Sequence, residues 1–115
     1  MVVCVVDDLL FSVKISTAAK ALGTEIYFAR AADQVMADIR EKQPTLVILD
    51  LNSSKLQPMA VIGALQADPN LTGITTLGFV SHVDAETIAL ARAAGINEVL
   101  ARLAFVARLG EILTR

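Results

Sequence analysis

The chain has 115 residues, enough for one domain with a substantial core. Its apolar fraction of 55% is high, yet no apolar run nears the roughly 20 residues that cross a bilayer. A net charge of −2 gives neither a basic nucleic-acid footprint nor a polybasic membrane surface, so no direct nucleic-acid binding and no membrane attachment are expected.

The first predicted strand, at about 2–6, is Val2-Val3-Cys4-Val5-Val6. A β-branched run without alternation suits a strand covered on both faces of a parallel sheet. Cys4 is the only cysteine and reads as a small packed hydrophobe. No disulfide can form within the chain and no secretory signal is seen, so a cytoplasmic location is expected. The strand runs into Asp7-Asp8. One acid at a strand-to-helix turn caps the helix and complements its dipole; two adjacent acids exceed that need. The first helix is predicted over about 10–22, with Gly23 suited to the left-handed residue after its end.

A second strand at about 24–29 leads to a helix at about 32–42, closed by Pro44. The third strand, at about 46–50, is Leu46-Val47-Ile48-Leu49 and ends on Asp50, the only polar group it supplies. Asn52-Ser53-Ser54 reads as a polar loop, and Pro58 suits the first turn of a helix at about 58–67. The fourth strand, at about 74–80, is followed by Ser81. Asp84 can cap a helix at about 84–94, which Gly95 ends. The fifth strand, at about 97–101, ends on Arg102, and a last helix is predicted over about 105–114.

Five strand-then-helix units with short loops imply parallel strands joined by right-handed crossovers. The predicted fold is a doubly wound α/β three-layer sandwich over 1–115, a single domain without linker or repeat. In such a sheet, ligands sit beyond the carboxyl ends of the strands. If the first and third strands are neighbours, Asp7, Asp8 and Asp50 converge there, and like charges at close range call for a divalent cation, a proton or a basic side chain; a small acidic pocket that takes Mg2+ is expected. Ser81 and Arg102 add a hydroxyl and a cation. Together these parts would accept a phosphoryl group, with Asp50 as nucleophile. An independent enzyme is not expected: the loops are short, and the first turn is acidic where a dinucleotide site wants glycine.

The whole chain resembles the receiver domain of two-component response regulators, the chemotaxis-regulator-like, flavodoxin-like fold. Asp7 and Asp8 match that family's acidic pair, Asp50 its phosphoacceptor, Asn52 the residue offering a backbone carbonyl to the metal, and Ser81 its switch hydroxyl. The resemblance implies strand order 2-1-3-4-5, Mg2+ on Asp7, Asp8, Asp50 and the Asn52 carbonyl, and a sensor histidine kinase or phosphotransfer protein as phosphodonor. It further implies output to a downstream protein partner, with a homodimer through the fourth helix, fifth strand and fifth helix as one form of it.

Several positions depart from the family's pattern. Arg102 stands where the family has lysine, and a bulkier, forked guanidinium there could pair bidentately with Asp50. Leu103 replaces the usual following proline; a cis bond there would cost about 2.5–4 kcal/mol without proline and is not expected. Val99 removes the aromatic switch of the fifth strand, and His82 sits beside Ser81 where the family prefers a small residue. Ser53-Ser54 and Gln57-Pro58 replace the family's Met-Pro and Asp-Gly pairs, with Lys55 as a further cation in that loop. These departures sustain an alternative: a degenerate pseudo-receiver, an interaction module that keeps the fold without phosphotransfer.

Overall fold

The two apolar runs that end on acid lie side by side in the middle of a five-stranded parallel sheet. The computed structural model describes residues 1–81 and 84–115. In chain order the elements are β1 (Val2–Val5), α1 (Leu9–Leu22), β2 (Ile26–Phe28), α2 (Val35–Lys42), β3 (Leu46–Asp50), α3 (Pro58–Ala67), β4 (Thr75–Val80), α4 (Ala85–Ala94), β5 (Glu98–Ala101), α5 (Arg102–Ala107) and α6 (Leu109–Leu113). The strand order is β2-β1-β3-β4-β5, as expected. Val2 pairs with Leu46 and Val5 with Leu49, so β1 and β3 deliver their carboxyl ends to one edge of the sheet.

Alternation along these strands feeds two separate cores. Val3, Val5, Val47 and Leu49 pack with Val35 and Ile39 of α2, Val61, Ile62 and Leu65 of α3, and Ala91 of α4. Val2, Cys4, Ile48, Leu77 and Phe79 point the other way, against Phe11 and Ile15 of α1, Phe105 of α5 and Ile112 of α6. Because both faces are covered, β1 and β3 need no polar alternation. Burial pushes the Cys4 thiol up to about 12, which leaves it inert at neutral pH. Gly78 of β4 has a packing role. A Cβ there would come within 2.7 Å of the Leu51 side chain and 2.8 Å of Ile96, so only glycine lets those two side chains press onto the strand.

The helix ends follow the sequence signals. Asp84 accepts the Glu86 and Thr87 amides at 3.1 and 3.3 Å, and Gly23 and Gly95 close α1 and α4 at φ +70° and +107°. Two stretches differ from expectation. The α2 helix begins at Val35 rather than 32; Gln34 precedes it and makes no side-chain capping bond. The last helix is not one helix from 105. The extended dihedrals of Ala101 turn the chain within one residue, so α5 starts at Arg102, and Arg108 (φ −101°, ψ 7°) separates it from α6. Hydrogen bonding continues across that step, from the Arg108 amide to the Ala104 carbonyl and from the Ile112 amide to the Arg108 carbonyl. Gly110, a poor helix former, lies just beyond the distortion.

Candidate functional site

Asp50 ends β3 with its side chain almost fully enclosed, 6% exposed. One oxygen, Oδ1, accepts the Asn52 amide at 3.0 Å, an Asx turn that folds the chain back at once. The Ser53 amide donates to the Asp50 carbonyl, and the Leu56 amide to the Ser53 hydroxyl, tightening the same loop. Burial holds the Asp50 carboxyl above its ordinary range. The Asn52 amide bond works against that, and the negative charges of Asp7 and Asp8 add to it.

Asp8 has a local task. Its Oδ1 accepts the Phe11 amide at 3.1 Å and so caps α1, a contact worth about 1 kcal/mol to the helix. Asp7, half-buried, has no such role. On the other side, the Asn52 side-chain oxygen accepts the Ser81 amide at 2.6 Å, tying the loop after β3 to the end of β4. Asp7, Asp8, Asp50, Asn52, Ser81 and Arg102 therefore line one pocket of about 500 Å3, together with Ser53, Ser54 and Lys55.

Arg102 does not take Asp50, however. No ion pair joins them among the described residues. Its guanidinium carbon instead lies 4.6 Å from the ring centroid of Phe11. Arg102 is the first residue of α5, and the ring it meets belongs to the first turn of α1. Leu103 is 83% exposed, no cis peptide bond occurs among the described residues, and half-buried Val99 packs against the core beneath α4. His82 lies outside the described residues. Phe11 was not singled out from the sequence; the only signal was an aromatic placed one turn after the acidic pair.

The carboxylates of Asp7, Asp8 and Asp50, the serine hydroxyls and the Asn52 carbonyl groups offer oxygen, the ligand atom a hard divalent cation takes. Among the described residues, though, no three carboxylate, imidazole or thiol groups stand close enough to grip a metal between them. Mg2+ fits such an arrangement through one or two carboxylates, with water completing its octahedron.

No family model and no curated protein sequence matches the chain. Solved structures do. A response regulator from Hahella chejuensis superposes with a TM-score of 0.86 at 16% identity, covering 98% of this chain and 91% of that one. The chemotaxis response regulator CheY4 of Vibrio cholerae gives 0.83 at 18% identity, with 99% and 95% covered. The chain has the receiver fold. The Mn2+-bound form of response regulator Rcp1 shares it as well, with a TM-score of 0.80, 17% identity, and 96% and 89% covered. In the receiver fold of this chain, the pocket lies at the carboxyl ends of β1, β3 and β4, at the β1/β3 point where the strand order reverses.

Proposed function

We propose that the chain is a phosphoryl-accepting receiver that signals through protein contacts. The observation that carries this is Asp50: a buried carboxylate on the central strand, fixed by one amide, inside a pocket that also holds two acids, a hydroxyl and an arginine. A carboxylate oxygen of Asp50 attacks the phosphorus of a phosphohistidine on a sensor kinase or phosphotransfer protein. The P–N bond breaks, and the departing imidazole takes up a proton. The Ser81 hydroxyl donates to a phosphoryl oxygen, and the Arg102 guanidinium neutralises another. From the set Asp7, Asp8, Asp50 and the Asn52 carbonyl, one or two carboxylates together with water would hold Mg2+, whose charge would offset both the carboxylates and the incoming phosphoryl oxygens. The face of α4, β5 and α5 then presents the state to a downstream protein or a second copy. Among the described residues no helix is long and apolar enough to cross a membrane.

Beryllofluoride with Mg2+ is the test, because it mimics a phosphoryl group on a carboxylate. The amides of Asp50, Asn52 and Ser81 are expected to shift in the NMR spectrum, and Asp50→Asn is expected to abolish the shifts. An unchanged spectrum at millimolar ligand would overturn the proposal.

The second reading, a pseudo-receiver, is favoured by the Asp8 oxygen spent on the α1 cap and by Arg102 resting on Phe11. It expects Asp50→Ala to leave partner binding intact and the beryllofluoride spectrum to stay flat.

A further inference from the structure

Arg102 and Phe11 meet where the acidic pocket borders the core. Arg102 lines the pocket with Asp7, Asp8 and Asp50, yet its guanidinium lies over the Phe11 ring at 4.6 Å. That ring has little freedom to move. Phe11 is 1% exposed and stacks on Phe79 at 4.7 Å, and Phe79 stacks on Phe105 at 4.6 Å. Its backbone is fixed too, since its amide is the one that Asp8 caps. A flexible cation beside three carboxylates is normally drawn into an ion pair, and a guanidinium can take a carboxylate with two hydrogen bonds. Among the described residues Arg102 forms none.

We propose that Phe11 is a positioning residue whose ring seats the Arg102 guanidinium at the rim of the pocket, off the carboxylates, so that a divalent cation can take them. The inference rests on the metal-binding reading of the pocket given above. A guanidinium and a divalent cation compete for the same oxygens. The π face of Phe11 offers the guanidinium a favourable seat elsewhere, and the stack on Phe79 and Phe105 keeps that seat rigid. Arginine in place of a shorter cation is thereby made compatible with an open acidic pocket. From its seat the guanidinium is also within the same pocket when an anion arrives.

The test is an Mg2+ titration, followed by amide NMR, of the wild type, Phe11→Leu, Arg102→Gln and the double variant. Phe11→Leu is expected to weaken Mg2+ by about twofold to fivefold, the factor an exposed cation–π contact carries. The double variant is expected to return to the affinity of Arg102→Gln, because no guanidinium remains to compete. A merely structural role for Phe11 gives a double variant as weak as Phe11→Leu, and that result overturns the proposal. Equal affinity of Phe11→Leu and wild type overturns it as well. If Phe11→Leu does not fold, Phe11→Met fills the core without a ring and takes its place in the cycle. In the wild type itself, the Arg102 δ-methylene protons are expected to be shifted upfield by the ring current, and unshifted protons overturn the proposal. A wild type that ignores millimolar Mg2+ removes the metal reading and this inference together. A wild type that binds Mg2+ with a flat cycle removes this inference alone.

Discussion

Asp50 is enclosed by its own loop and faces the charges of two other acids, so the folded protein holds its carboxyl above the range it has in the unfolded chain. Between those two values the folded state binds more protons than the unfolded one, and stability falls as pH rises. The favourable contribution is present below the unfolded value, near 3.9 for an ordinary Asp, and is lost as pH rises through the folded value. At neutral pH without metal, the ionised Asp50 therefore works against the fold. Asp50→Asn keeps the oxygen that accepts the Asn52 amide and removes the charge, so it is expected to raise Tm at pH 7. That gain should shrink toward zero below about pH 4. Thermal melts of both proteins from pH 4 to 8 check it; a gain that does not depend on pH would show that charge is not its cause. The acids were legible in the sequence because each follows directly on an apolar run: Asp50 closes β3, and Asp7 and Asp8 lie just past β1. The Arg102–Phe11 contact was not, because it joins the start of α5 to the start of α1, far apart in the chain. Spacing within one element carries no trace of such a pair.

At the scale of elements, the join between β4 and β5 shows how a short strand is held. Thr76 is fully buried. Its amide and hydroxyl both donate to the Asn97 side-chain oxygen, at 2.8 and 3.1 Å, and the Asn97 amide donates back to the Thr76 hydroxyl at 3.0 Å. Asn97→Ala would strand two donors at a buried position, with a cost of about 1–3 kcal/mol. In a domain near this size each 1 kcal/mol lowers Tm by roughly 4–8 °C. Asn97→Asp keeps the acceptor and is expected to lose much less; an alanine variant that melts with the wild type would show that the clip carries nothing. By contrast, Glu98 meets Arg108 and Arg115 at 3.0 Å each on the surface, and exposed pairs of that kind contribute about 0–1 kcal/mol. Strand and helix positions were readable from apolar runs and from Gly23, Pro58, Asp84 and Gly95, since each signal is local. The start of α5 at Arg102 was not readable. Nothing in Ala101-Arg102-Leu103 marks a helix start; what accompanies it is a tertiary contact, Phe105 of α5 stacked on Phe79.

Across the whole molecule, stability is concentrated in the middle of the sheet. Every residue of β1 and β3 is buried, and so is all of β4 except Thr75. At the edges, β2 pairs with β1 through three residues and is half-exposed, while β5 is half-exposed and ends on exposed Ala101. Opening an edge strand exposes little apolar surface, whereas opening β3 breaks both cores at once, since Val47 and Leu49 serve one and Ile48 the other. Native-state hydrogen exchange should therefore divide the strands. Amides of Cys4, Val47, Ile48, Leu49 and Leu77 are expected to exchange only through global unfolding, and those of Ile26–Phe28 and Glu98–Ala101 through smaller, local openings. A difference of 1.4 kcal/mol between the two classes corresponds to about a tenfold difference in protection. Uniform protection across all five strands would mean that the edges are as strongly coupled as the centre, and the two-core account would fail. The pocket gains from the expected pattern. Asp50 stands on the strand that opens last. Arg102, although it follows an edge strand, rests on Phe11 of the core, so the acids and the cation beside them are both tied to the part of the fold that opens last.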